Sequence, residues 1–369
     1  MKSRKVQIAI AVVIGLGCLY LFASDDDMQW PKVWAAIKSA NYGLVFFSIL
    51  LGFSSMLIRS WRWQILLDRP VVSIGKLFLI MNIGFMGNGV FPARMGELIR
   101  PFLIWRYTDH AFPTAIATIV VERVFDLLGL LLILALVFIL MPFPQANSAS
   151  PDSAISAGAD NDVPAELAAD PWEWMQDLAL LGVIAFIGLF GVIAAMSYAP
   201  EWSLRLAQTL FKPLPHTIAS KLLRMVESFE KGAIAFRKPI SFLYCLFYTL
   251  LLWSTIAFSE WMILWAFGIY HVPFTGALFL MAGLCFAVMF PQLPGYVGVY
   301  QFAVKLILCS TFFIDPDQAG AVALVMWMSQ VPPVILLGFV CLIIMGVSFK
   351  EISQVQSEVN ETGNPNHNE

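Results

Sequence analysis

Charge is scarce in this chain. Only 13% of its 369 residues are Asp, Glu, Lys or Arg, and 59% are apolar, against about 25% and roughly 45–50% in an ordinary soluble domain. A soluble globular fold is excluded on that ground. Cysteine is also sparse: Cys18, Cys245, Cys285, Cys309 and Cys341 all lie in apolar stretches and no CxxC occurs, which excludes a disulfide framework or a zinc site. The four histidines, His110, His216, His271 and His367, are too scattered to form a metal pair. No P-loop, GxGxxG, HExxH or Ser/His/Asp set is present. No cofactor, metal or nucleic-acid partner is expected, and the chain does not read as an enzyme.

What the sequence does have is long apolar runs, several beyond the roughly 18 residues needed to cross a bilayer. The expected class is an all-α polytopic membrane protein, with residues 1–347 forming one integral membrane domain. Lys2, Arg4 and Lys5 precede an apolar run over 6–23 that lacks an A-x-A-like cleavage site, so it reads as a retained first span. Further spans are expected at 42–58, 114–141, 178–199, 240–267 and 319–347, the last interrupted by Pro332 and Pro333. Arg59, Arg62 and Arg69, interleaved with Trp61 and Trp63, read as an interface anchor after the second span. The loop 142–177 has seven acids and no Lys or Arg, whereas 200–239 carries seven basic residues and includes an amphipathic helical pattern. Residues 348–369 form a polar tail expected to be disordered.

Two apolar stretches are too short to cross and break at glycine and proline. Residues 77–106 break across Gly87–Pro92, and residues 274–313 break across Pro291–Gly298, where Pro291, Pro294, Gly295 and Gly298 predict an unwound turn with Tyr296, Tyr300 and Gln301 nearby. If the first enters from the cytoplasm and the second from outside, six segments span and every basic loop is cytoplasmic. Both termini are then cytoplasmic and the acidic loop is outside. The expected architecture is thus about six spanning helices plus two oppositely entering re-entrant hairpins, related as an inverted repeat with a binding site between them.

The charges that remain inside apolar surroundings carry the functional expectation. Arg94, Glu97 and Arg100 recur every third residue after Pro92 and share one helical face. Asn88 lies in the break before them. Glu122, Arg123 and Asp126 lie on a following helix, and Arg94 or Arg100 is expected to meet Glu122 or Asp126. A charge at the bilayer centre costs about 3 kcal/mol, so six would cost about 18 kcal/mol gross, more than the usual net stability of a fold. These residues must therefore be paired, hydrated or near an interface. Two readings stand: a lipid phosphate gripped by arginines at a helix N-terminus, or a structural network that fastens the hairpin. Glu260 and Lys305 are lone charges that could line the same cavity.

The run N-x-x-x-P-x-R-x-G-E-x-x-R (Asn88, Pro92, Arg94, Gly96, Glu97, Arg100) resembles the hallmark of the lysylphosphatidylglycerol synthase transmembrane-region family, also called flippase-like membrane proteins. The E-R-x-x-D of Glu122, Arg123 and Asp126 fits the same family, as do the P-x-x-P-G-x-x-G of Pro291–Gly298 and the R-W-x-x-L-L of Arg62–Leu67. The resemblance runs from about Val6 to Val347. It implies movement of an anionic phospholipid or lipid-linked intermediate between leaflets of a bacterial cytoplasmic membrane. In bifunctional members a cytosolic domain attaches an amino acid to phosphatidylglycerol; here 22 residues follow the last span, which is no room for that domain. Gln301 stands where many relatives have glutamate, and Tyr296 where many have glycine. The rival expectation is a non-transporting partner that holds a lipid-modifying or envelope-assembly enzyme.

Overall fold

Helix start and stop signals divide the chain cleanly. Asn41 accepts from the Gly43 and Leu44 amides to open one helix, Ser73 accepts from the Lys76 amide to open another, and Asp315 does the same for the Asp317 and Gln318 amides. Proline sits in the first turn of five helices, where its missing N–H is harmless. In the computed structural model these signals yield α1 (Lys2–Ala23), α2 (Trp30–Ser39), α3 (Tyr42–Leu66), α4 (Ile74–Val90), α5 (Gly96–Tyr107) and α6 (Phe112–Leu140). They are followed by α7 (Pro239–Ala266), α8 (Phe274–Ala287), a 3-10 turn (Pro294–Tyr296), α9 (Val299–Phe312), α10 (Pro316–Gln330) and α11 (Pro332–Met345). The structure describes residues 2–25, 27–67, 72–91, 94–108, 110, 112–140, 239–289, 293–349, 351–352 and a few isolated positions between 184 and 223. Among the described residues there is no strand.

Five helical stretches are long and apolar enough to cross a membrane: Tyr42–Leu66, Phe112–Leu140, Pro239–Ala266, Pro294–Phe312 and Pro316–Met345. Four of them coincide with expected spans. The fifth, Pro294–Phe312, falls in the expected second hairpin, and the described apolar part of α1, Val12–Ala23, is shorter than a crossing. The expected loop 142–177, the span 178–199, most of the basic segment 200–239 and the tail beyond 352 lie outside the described residues. The start of the tail is ordered against the bundle: Phe349 stacks on Phe91 and Phe339, and Glu351 pairs with Arg106 at 2.9 Å.

α3 and α7 form the centre. They run antiparallel, with Phe47 beside Phe258 at one end and Trp61 beside Tyr248 at the other. Two short hairpins flank them. In the first, Lys76 near the start of α4 donates to the Tyr107 carbonyl at the end of α5. The two helices cross where glycine removes the side chain: a Cβ on Gly96 would overlap the Gly84 carbonyl oxygen, and Arg100 lies flat over Gly84. In the second, Gly276 meets Phe312 and Gly283 meets Ile307, so α8 and α9 are antiparallel as well.

The two halves pack in one pattern. α3 lies on α4 as α7 lies on α8, α4 on α5 as α8 on α9, and α5 on α6 as α9 on α10. The first arm of each hairpin then packs on the last helix of the other half, α4 on α11 and α8 on α6. The largest apolar cluster joins Trp63, Leu77, Ile83, Ile99, Leu103 and Phe125 from α3 to α6. A second cluster joins α7, α9 and α10 through Ile263, Val304, Val322 and Met326.

Candidate functional site

Helical spacing places Ser55, Arg59, Arg62 and Leu66 on one stripe of α3, and all four are buried. This corrects the interface-anchor expectation for Arg59 and Arg62. Both sit inside the bundle, because α3 continues to Leu66 and this face turns toward α6 and α7. Arg69 lies outside the described residues.

Arg62 is the hub. Its Nη1 donates to Asp126 Oδ1 at 2.6 Å and to Thr249 Oγ1 at 2.8 Å, and its Nη2 donates to Glu122 Oε1 at 3.1 Å. Glu122 and Asp126 lie one turn apart on α6 and therefore present both carboxylates to the same guanidinium. The other Glu122 oxygen accepts from Arg100 Nη2 at 2.6 Å, as expected of that pair. Arg100 also lies over the Trp63 ring at 4.4 Å, and Trp63 Nε1 donates to Thr118 at 3.0 Å. Arg123 pairs with both acids at 3.4 Å while its side chain stays 41% exposed. Three arginines thus share two carboxylates, leaving one positive charge in excess. Arg59 adds another cation: it lies over Phe85 at 4.8 Å and Trp253 at 5.8 Å, with no carboxylate partner among the described residues.

The hairpin tips meet beside this network. Arg94, at a left-handed φ of 52°, donates through Nη2 to the Val288 carbonyl at 2.5 Å, just past the end of α8. α4 also packs on the Pro294–Tyr296 turn, and Trp327 Nε1 ties that turn to α10 through the Gly295 carbonyl at 2.7 Å. Tyr296 in the turn lies in the field of Arg94, Arg123, Arg59 and Glu97. Asn88 is half-buried, and its amide oxygen lies against Gly96 with no donor among the described residues.

The remaining predicted residues separate from this cluster. Gln301 accepts from the Gly298 amide at 2.8 Å and so caps α9. Gly298 is required there twice over, by its φ of 88° and by the backbone of α1 at Gly15, which a side chain would strike. Pro294 is exposed at the turn, and Pro291 lies outside the described residues. Lys305 does not join the arginines: it pairs with Asp25, between α1 and α2, at 2.5 Å. Glu260 is buried on α7, and its Oε2 has no partner among the described residues. No group of three metal-ligating side chains occurs among the described residues.

Buried arginines shared by α3, α5 and α6, with two glycine-broken helix pairs meeting beside them, define a helical membrane protein built around a buried polar junction. The chain belongs to the family described as the lysylphosphatidylglycerol synthase TM region, whose model matches residues 8–338. It is similar to the glycosyltransferase AglD of Haloferax volcanii, at 22% identity over 338 residues, covering 87% of this chain and 51% of that one. It is also similar to a UPF0104 membrane protein of Methanothermobacter thermautotrophicus, at 19% identity over 348 residues, covering 88% of this chain and 90% of the relative. The chain therefore spans about half the length of the first of these two proteins. No solved structure matches.

Proposed function

We propose that this protein moves an anionic phospholipid or lipid-linked intermediate between the leaflets of the cell membrane, without a chemical step. The observation that carries the reading is the excess of positive charge: three arginines share two carboxylates, with Arg94 and Arg59 adding further cations. Guanidinium groups bind phosphate bidentately. Arg94 and the half-exposed Arg123 are the groups that reach a head group, with Asn88, Glu97 and Tyr296 around them. Arg100, held by Glu122 and Trp63, positions the hairpin. The matched packing of the two halves supports an inverted repeat whose hairpins enter from opposite faces, with the site where their tips meet. Charge in the loops favours cytoplasmic termini.

The test is reconstitution into liposomes with a labelled anionic lipid. Wild type should move the label across, and Arg94→Ala should slow this while the protein stays folded by circular dichroism. Unchanged movement in the folded variant rules out this mechanism.

A second reading takes support from the name of the Haloferax relative and from its length, about twice the match. In it, the bundle is a non-transporting membrane partner that holds a lipid-modifying or envelope enzyme. Liposomes would then show no movement, and Arg94→Ala would leave the cellular phenotype intact.

A further inference from the structure

The chain turns back on itself after α11. Gly346 takes a left-handed φ of 65°, its amide donates to the Ile343 carbonyl at 3.1 Å, and the Val347 amide donates to the Leu342 carbonyl at 3.2 Å. A helix that ends at a left-handed glycine commonly covers its last turn with the apolar residue that follows, and Val347 is buried. The Ile352 amide then donates to the Ser348 carbonyl at 3.2 Å, which closes one further helical turn.

The side chains of that turn reach both members of the α4–α5 pair. Phe349 stacks on Phe91, which follows α4, at 5.3 Å between ring centroids, and on Phe339 of α11 at 6.1 Å. Glu351 pairs with Arg106, in the last turn of α5, at 2.9 Å. Ile352 is buried in the apolar cluster that also holds Leu77 of α4 and Leu103 of α5. α11 itself seats α4 closely: a Cβ on Gly338 would strike Met86 and the Asn82 carbonyl, and one on Gly89 would strike Ile335. The end of the chain therefore holds α4 and α5 in two ways, by the face of α11 and by the turn at 348–352.

The two holds differ in strength. The α11 face is a close glycine contact, whereas Phe349 is 42% exposed and the Arg106 and Glu351 side chains are 49% and 25% exposed. Ion pairs open to solvent contribute little, and weakly held elements are where a fold opens first. Phe91 also directly precedes Pro92 and the tip that carries Arg94 to the Val288 carbonyl. We infer that residues 348–352 are a latch: they hold the α4–α5 pair against α11, and their release frees the Arg94 tip to move. The inference rests on the lipid-transport reading above, in which that tip reaches the head group, and it makes the latch a brake on lipid movement.

The experiment uses the full chain in two preparations. In lipid nanodiscs, hydrogen exchange of the amides around 86–91 and 102–107 should be several-fold faster in Phe349→Ala and in Glu351→Arg than in wild type, with the middle of α7 unchanged. Exchanging the charges, Arg106→Glu with Glu351→Arg, should restore the wild-type rates. In proteoliposomes, labelled phosphatidylglycerol should move several-fold faster in Glu351→Arg and return to the wild-type rate in the charge-exchanged protein. Exchange at α4 and α5 that ignores both substitutions, or that rises equally in α7, overturns the latch. Lipid movement that is present in wild type but unchanged or slower in Glu351→Arg also overturns it and leaves lipid transport standing. Faster exchange at α4 and α5, its rescue by charge exchange, and immobile lipid in every variant support the latch and place the failure in the lipid reading.

Discussion

Arg94 donates its guanidinium to the Val288 carbonyl at 2.5 Å, so a charged side chain from one hairpin closes the end of the first helix of the other. A carbonyl past a helix end needs a donor when water is excluded. Hydrogen bonds to a charged group contribute about 1.5–3 kcal/mol. Arg94→Ala should therefore speed hydrogen exchange of the amides around 285–289 relative to the middle of α7, measured by mass spectrometry. Equal protection in variant and wild type argues that the contact does not hold the tips.

Glu122 should matter far more to stability than Arg123. Glu122 is fully buried and touches three arginines, whereas Arg123 is 41% exposed. Breaking one side of a buried ion pair costs about 3–5 kcal/mol, and an exposed pair contributes about 0–1 kcal/mol. Thermal unfolding in detergent should show a large drop for Glu122→Gln and a small one for Arg123→Ala. The reverse order would mean that the network is not what fastens α5 to α6.

The hairpin crossing is equally testable. Gly96→Ala puts a methyl group into the Gly84 backbone, whereas Gly17 of α1 has open space around it. Overpacking costs about 1–3 kcal/mol or more where backbone must move. Gly96→Ala should lower the melting temperature and Gly17→Ala should leave it unchanged. Similar behaviour of the two would contradict the close crossing.

Asp25 gives a pH-dependent prediction. Its carboxyl is held below the usual value of 3.8, chiefly by the hydrogen bond from Lys305, which outweighs partial burial, with a lesser contribution from the Asp27 amide. A depressed acid stabilises the fold above its unfolded value and loses that contribution as pH falls through its folded value. The difference in melting temperature between wild type and Asp25→Asn should be constant above about pH 5 and shrink below it. A difference that grows toward low pH would reverse the sign and remove Lys305 as the cause.

Much of this was legible from residue order alone. Apolar runs mark α3, α6, α7 and the α10–α11 pair, and the glycine and proline breaks fall between α4 and α5 and between α8 and α9. Regular spacing put Glu122 and Asp126 on one face, and Arg100 duly meets Glu122. Arg62 is disguised in the sequence, because arginine beside tryptophan at the end of a span has the look of an interface anchor. The stripe Ser55, Arg59, Arg62 and Leu66 was the available signal, since four residues at steps of three and four turn together toward a neighbour. α2 is too short to show as an apolar run; it opens at Trp30 and Pro31 and buries Val33 against Met28 and Ala321. The separation of Lys305 from the arginines depends on which side of α9 meets α1, and no local pattern encodes that.

The matching helices of the two halves are not matched in build. α6 runs unbroken through 29 residues and is bolted to α3 and α5 by ions. Its counterpart is split at Val331, where Pro332 and Pro333 begin a new helix, and is tied to the centre by the neutral side chain of Gln330. The two prolines remove two amide donors just after Gln330, the side chain that hydrogen-bonds Ser48 of α3 and Ser259 of α7, so the ladder of this long helix is thinnest beside its polar tie to both central helices.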